Sequence, residues 1–225
     1  MMDRPALMLF TKAPLPGRVK TRLLTHTTPE TATAIALEMI RDTLSIAADC
    51  WPGPVRLLVS PAKAPSELTE MALRYNVTSG TQSQGDLGQK MQSAIREGLE
   101  SSTAVAVMGC DIPLVTADIL EFAFESLAKG ANVIGPSADG GFYLIGTHQC
   151  VPGMLDSIAW STDTVLQSVL ARSEQLGVRF DVLLPCLNDI DSWEDFEHLA
   201  SIVPKYRRFL EQPHLEQEST QRFNR

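Results

Sequence analysis

The chain has 225 residues, 44% hydrophobic and 20% charged, with a formal net charge of -8. That length can bury a full core, as one large domain or two small ones, and no apolar run approaches the roughly 20 residues of a membrane span. The acidic balance argues against a nucleic-acid partner, which demands a broad basic surface.

Four scattered cysteines (Cys50, Cys110, Cys150, Cys186) and four histidines show no metal-ligand spacing. Reduced thiols and a cytoplasmic location are therefore expected, rather than a disulfide framework or zinc knuckle. Asp3 and Arg4 precede only a short apolar strand, which gives no signal-peptide pattern.

The first predicted element is a buried strand, Ala6 to Phe10. It runs into Lys12-Ala-Pro-Leu-Pro-Gly-Arg-Val-Lys-Thr-Arg22, which places four cations in eleven residues with no acid between Ala6 and Leu24. Two prolines and Gly17 stiffen the loop, so Lys12, Arg18, Lys20 and Arg22 read as held cations suited to phosphate oxygens. A solvated basic turn is the plainer alternative. A Walker-type loop is excluded because Val19, not glycine, precedes Lys20-Thr21. A dinucleotide fingerprint fails because Gly17 is the loop's single glycine.

Thr28-Pro29-Glu30 starts a helix carrying Ile35, Ala36, Met39, Ile40 and Leu44 at helical spacing. Trp51-Pro-Gly-Pro54 breaks the chain before a strand at Val55 to Val59, and a short helix follows near Ser66 to Arg74. Gly85-Asp86-Leu87-Gly88 opens a helix with Leu87, Met91, Ile95 and Leu99 on one face. Asp86 is either its N-cap or, with Gly85, a contact to a nucleotide. Thr103 to Met108 is the strongest strand, of the kind found inside a parallel sheet.

Thr116 caps a helix with Ile119, Leu120, Ala123 and Phe124. Strands at Asn132 to Gly135 and Phe142 to Ile145 flank a turn containing Asp139-Gly140-Gly141. That turn is either an ordinary hairpin or a close backbone approach to a ligand. Trp160-Ser161-Thr162 leads into a helix from about Asp163 to Leu176, with Trp160 read as core packing or as the wall of an acceptor pocket. A strand from Val178 to Leu184 and a helix from Ser192 to about Ile202 complete the order, with Ser192 and Asp195 forming a capping-box variant. The alternation predicts one α/β domain over residues 1–203, a mostly parallel mixed sheet covered by helices. Residues 204–225 read as a charged helix end and tail.

Ligands in such sheets sit at the carboxyl ends of the strands. Asp111 arrives there in Gly109-Cys110-Asp111-Ile112-Pro113, and Asp191 in Asn188-Asp-Ile-Asp191. Two carboxylates from separate strand ends can share a hard cation such as Mg²⁺, with substrate phosphates completing its shell. Each has a plainer reading: Asp111 as a turn cap before Pro113, Asp191 as a helix N-terminal residue favoured by the dipole. Cys110 lacks a histidine partner and reads as a small packing residue.

Taken in order, Phe10-Thr-Lys12 through Lys20-Thr-Arg-Leu23, Gly85-Asp-Leu-Gly88, Gly109-Cys-Asp-Ile-Pro113, Gly135-Pro136 with Asp139 to Gly146, Trp160-Ser-Thr162 and Asp189-Ile-Asp191 resemble a known set. They resemble the bacterial glycosyltransferase-A-like family of the nucleotide-diphospho-sugar transferase superfamily, over roughly residues 6 to 200.

The resemblance implies a GT-A Rossmann-like three-layer sandwich and a metal-dependent transferase using a nucleotide sugar or nucleoside triphosphate, Mg²⁺ or Mn²⁺, and a small-molecule acceptor. It places Lys12, Gly17, Arg18, Lys20, Thr21, Arg22, Gly85 and Asp86 at the nucleotide. Asp139, Gly140, Gly141 and Trp160 fall near the sugar or acceptor, and Asp111 and Asp191 at the metal. Lys20, Arg22 and Asp139 become the catalytic candidates. One departure matters: where many glycosyltransferases of this fold carry Asp-any-Asp, this chain has a single acid in Gly-Cys-Asp. That leaves room for nucleotidyl transfer, as in the similar pattern of 2-phospho-L-lactate guanylyltransferase. A non-catalytic nucleotide-binding protein is the remaining alternative.

Overall fold

The structure, a computed structural model, describes residues 4–61 and 64–210. Asp3 and the tail expected after Leu210 lie outside these residues. Contacts divide the described residues into two compact units, one within the spans 1–13 and 39–189, the other within 14–38 and 190–225.

The first unit holds one seven-stranded sheet. Its strands are β1 (Ala6–Lys12), β2 (Val55–Ser60), β3 (Thr78–Thr81), β4 (Val105–Gly109), β5 (Val133–Pro136), β6 (Phe142–Thr147) and β7 (Val182–Leu183), in the order β3-β2-β1-β4-β6-β5-β7. β3, β2, β1 and β4 run parallel; β6 is antiparallel to both β4 and β5; β7 is parallel to β5. The expected α/β class, mostly parallel with one antiparallel hairpin, is what forms.

β4 sits at the centre because Ala104 to Met108 offer nothing polar, and none of the five is more than 3% exposed. The helices packing on the sheet are α2 (Ser66–Arg74) beside β3, α3 (Leu87–Leu99) on β1 and β4, and α4 (Ala117–Ala128) on β5 and β6. α5 (Val165–Gln175) contributes Val169, fully buried in the cluster that includes Met91, Ile95, Val107 and Ile145.

Several elements differ from expectation, three of them for a clear physical reason. β3 was not foreseen, since Thr-Ser-Gly-Thr is polar and pairs only at a sheet edge. The strand expected from Val178 to Leu184 shrinks to two residues, because Val178 is tied back to the Ser173 carbonyl and only Val182 and Leu183 reach β5. α5 starts two residues later than expected, after Ser161 takes a left-handed backbone (φ 65°).

The second unit combines the basic loop and the start of α1 (Pro29–Cys50) with α6 (Trp193–Ile202) and a 3-10 turn at Pro204–Phe209. The Thr28 hydroxyl accepts from Thr31 N–H at 3.2 Å and caps α1. Phe196, Leu199, Tyr206 and Phe209 are buried, and the aromatic contacts run from Trp193 to Phe196 and on to Tyr206 and Phe209. Glu38, itself buried, receives Arg208 at 2.9 Å and lies 4.0 Å from Lys205, which fastens the 3-10 turn to α1. Residues 204–210 are thus packed structure.

Ser192 caps α6 as expected: its hydroxyl accepts from Asp195 N–H at 3.1 Å, and Asp195 reaches back to Ser192 N–H at 2.7 Å. Burial works against charge on Asp195, but the Ser192 hydroxyl, the two backbone N–H groups and nearby Lys20 outweigh it and hold its carboxyl below the ordinary 3.8. The contribution of that charge is complete above the ordinary value and is lost as pH falls through the lowered one. Ser192→Ala should lower stability by about 1 kcal/mol in urea unfolding at neutral pH; an unchanged midpoint would contradict the cap's role.

Candidate functional site

In the second unit the basic loop is held at both ends by buried apolar side chains, Val19 and Leu23. Lys20 between them adopts a left-handed backbone (φ 46°, ψ 43°), a conformation that costs a non-glycine residue about 1 kcal/mol and marks a constrained site. Its side chain is only 9% exposed. The ammonium donates to the Ile190 carbonyl at 2.7 Å and lies 3.9 Å from Asp191 Oδ1.

Arg22, 73% exposed, donates from Nη1 to Asp191 Oδ2 at 2.8 Å. One carboxylate therefore spans two cations of the loop, with a different oxygen toward each. Gly17 (φ 71°) turns the chain in open space, and Arg18 and Thr21 are exposed. Lys20, Arg22 and Asp191 thus come together, with Asp191, expected at a metal, placed as counter-ion to both cations. His26 stacks on Trp193 at 5.4 Å, a pairing that no sequence spacing signals.

In the first unit, the strand ends gather a second set of polar groups. Lys12 ends β1, exposed, in register with Ser60 at the end of β2. The Gln82 side-chain amide donates to Thr11 and Leu58 carbonyls at 3.1 and 3.0 Å, joining the ends of β1 and β2. Lys90, in the first turn and a half of α3, donates to the Ser60 hydroxyl at 3.3 Å. Gln82 and Lys90 were missed; the only available signal was that both flank the Gly85-Asp-Leu-Gly88 motif.

Asp111 follows β4, and a Cβ on Gly109 would stand 2.7 Å from its carboxylate, so this glycine makes room for the acid. Cys110 between them is buried, and burial, with Asp111 nearby, pushes its thiol far above the ordinary range. Its thiolate is therefore not formed near neutrality, which agrees with a packing role.

Gly85, Asp86 and Gly88 have full structural accounts. Asp86 caps α3 by accepting from Gln89 N–H at 2.9 Å, and Gln89 returns to Asp86 N–H at 3.0 Å. A Cβ on Gly85 (φ 111°) would collide with the Gln89 amide, and one on Gly88 with the Leu155 carbonyl and, at 2.9 Å, Trp160. Trp160 packs against the core and edge-on to Phe142 at 6.3 Å.

Asp139 caps its own turn: Oδ1 accepts from the Ser137 hydroxyl and from Gly141 N–H. Gly140 (φ 86°) cannot carry a side chain, because the Asp163 backbone lies against it and Leu166 N–H bonds its carbonyl at 2.9 Å.

Among the described residues no three His, Cys, Asp or Glu side chains converge as a metal cage. A lone carboxylate such as Asp111 still suits Mg²⁺ or Mn²⁺, which bind through one or two acids, substrate phosphates and water. No helix among the described residues is long and apolar enough to cross a membrane.

The family model "Uncharacterized protein conserved in bacteria (DUF2064)" matches residues 43–162, more than half of the chain, and the chain belongs to that family. The match contains Gly85, Asp86, Asp111, Asp139, Gly140, Gly141 and Trp160. A candidate nucleotide-diphospho-sugar transferase from Desulfovibrio desulfuricans G20 is similar at 25% identity, with a TM-score of 0.79 over 90% of this chain and 88% of that one. A cytidylyltransferase from Leptospira borgpetersenii serovar Hardjo-bovis shares the fold at 18% identity, with a TM-score of 0.60 over 94% and 93% of the two chains. Rv0371c of Mycobacterium tuberculosis H37Rv, in complex with manganese, shares it at 17% identity, with a TM-score of 0.54 over 89% and 100%. None of the curated proteins matches the chain.

The two glycines separate strain from packing. Gly17→Ala should cost about 1 kcal/mol, from its left-handed backbone alone. Gly140→Ala should cost about 3 kcal/mol, because the opposing backbone cannot yield. Equal costs in thermal or urea unfolding would show that the Asp163 backbone yields to a side chain at position 140.

Proposed function

We propose that this member of the family is a metal-dependent transferase that takes a nucleotide sugar and passes the sugar to a small-molecule acceptor. The observation that carries this reading is the constrained basic loop, where a part-buried, backbone-strained Lys20 and an exposed Arg22 form a positive site. Such a site is suited to a pyrophosphate group. The likeness to the candidate nucleotide-diphospho-sugar transferase of D. desulfuricans supports it.

Lys20 and Arg22 would stabilise charge on the departing diphosphate, which is electrostatic rather than covalent catalysis. Gly17, Arg18 and Thr21 would present backbone and side-chain donors beside them. In the first unit, Lys12 would add positive charge at a strand end, and Gly85 and Asp86 would contact the nucleotide. Asp139, Gly140, Gly141 and Trp160 would border the sugar or acceptor, with Asp139 as the candidate base for an acceptor hydroxyl.

The manganese complex of Rv0371c supports a divalent cation, for which Asp111 is the candidate ligand in the first unit and Asp191 in the second. The cation would neutralise phosphate charge.

A second reading, nucleotidyl transfer from a nucleoside triphosphate to a phosphorylated acceptor, is favoured by one observation. Cys110 is fully packed, so the β4 loop offers Asp111 as its one acid rather than an Asp-any-Asp pair. The fold shared with the cytidylyltransferase is compatible with this chemistry.

The test is a panel of nucleotide sugars and nucleoside triphosphates with Mg²⁺ or Mn²⁺, read first by thermal shift and then by product. A ligand at 100 times its Kd should add about 2.7 kcal/mol of stability. Release of a nucleoside diphosphate supports sugar transfer, and release of pyrophosphate supports nucleotidyl transfer. Binding without either product supports the non-catalytic alternative. Arg22→Ala should weaken nucleotide binding by about tenfold or more, the worth of one charge-assisted bond. Asp111→Ala should lower turnover and raise the metal concentration it needs; turnover indifferent to the change would end the metal assignment in the first unit.

A further inference from the structure

We propose that Asp191 is an internal competitor for the anion site of the basic loop. Its carboxylate occupies the places on Lys20 and Arg22 that a ligand phosphate would take, and an incoming anion must displace it. The inference rests on the reading of Lys20 and Arg22 as phosphate-binding residues.

Three observations carry it. First, Asp191 presents Oδ2 to Arg22 at 2.8 Å and Oδ1 toward Lys20 at 3.9 Å, so two oxygens of one group face two cations as two oxygens of a phosphate would. Second, the pair is open to water, with Asp191 45% and Arg22 73% exposed, so it exchanges readily with dissolved anions. Third, the backbone under Asp191 is fixed without help from its carboxylate. Asp191 and Ser192 N–H both donate to Asp195 Oδ2, at 3.2 and 2.7 Å, and Ile190 is 2% exposed.

The carboxylate is thus delivered at the high local concentration of a tethered group, yet it can leave by turning about its own side-chain bonds. Lys20 stays in place when it leaves, because the Ile190 carbonyl holds the ammonium at 2.7 Å. A singly charged competitor on a tether suppresses weak monoanions and yields to a polyanion, whose Coulomb attraction to two cations is larger.

The experiment titrates pyrophosphate into the full chain by calorimetry, at low ionic strength and without divalent metal. It compares the parent, D191N, R22Q and the double variant, with Asp191→Ser as a second replacement should D191N fail to fold. D191N should bind pyrophosphate about tenfold tighter than the parent, R22Q should bind weaker, and the gain from Asp191→Asn should shrink in the R22Q background. A folding defect lowers affinity, so a gain cannot be a structural artefact.

Unchanged or weaker binding by D191N, with R22Q still losing affinity, overturns the competitor and leaves the phosphate reading intact. A gain of equal size without Arg22 also overturns it, because the benefit would then be a general loss of negative charge. Equal binding by the parent and R22Q overturns the phosphate reading itself, and the proposal with it, as does the absence of binding in all four.

Discussion

A strand buried on both faces can carry nothing that water must solvate, and β4 obeys this from Val105 to Met108. Polarity can return only where the chain leaves the sheet. Immediately after β4 it returns as Asp111, and at the end of β1 as Thr11 and Lys12. The apolar centre therefore dictates where charge can appear in the first unit. Gln82 then secures that end of the sheet, since its amide donates to the Thr11 and Leu58 carbonyls of β1 and β2.

The central strands and the long helices were legible for the same reason. Burial on one or both faces writes a period into the sequence, and β4, α1 and α3 carry it strongly. Caps were legible too: Thr28, Asp86, Thr116 and Ser192 all accept the backbone bond that their position suggests. Edge elements were less so. β3, a polar tetrapeptide, leaves no pattern, and β7 was expected but too long, since only Val182 and Leu183 pair with β5.

In the candidate site, the types of residue were readable but their pairings were not. Asp191 carries a metal-ligand and a helix-terminus reading in sequence, yet it pairs with two cations of a loop some 170 residues earlier. No spacing rule reaches across that separation. Glu38 with Arg208, and His26 with Trp193, were invisible for the same reason.

The motifs differ in how much of them packing explains. Gly85, Asp86 and Gly88 are each required by the fold: one by the Gln89 side chain, one by the capping of α3, one by the loop at Leu155 and Trp160. Gly140 is required by the Asp163 backbone. The basic loop is the opposite case. Gly17 turns in open space, and the left-handed Lys20 buries an ammonium where a glycine would adopt the backbone freely and need no partner. Burying that charge demands the Ile190 carbonyl and a nearby carboxylate, which the chain supplies from a distant segment. A fold seeking only stability gains nothing from this arrangement that an uncharged residue would not give more simply. The strain and the part-buried cation are therefore features that packing of the fold alone does not require.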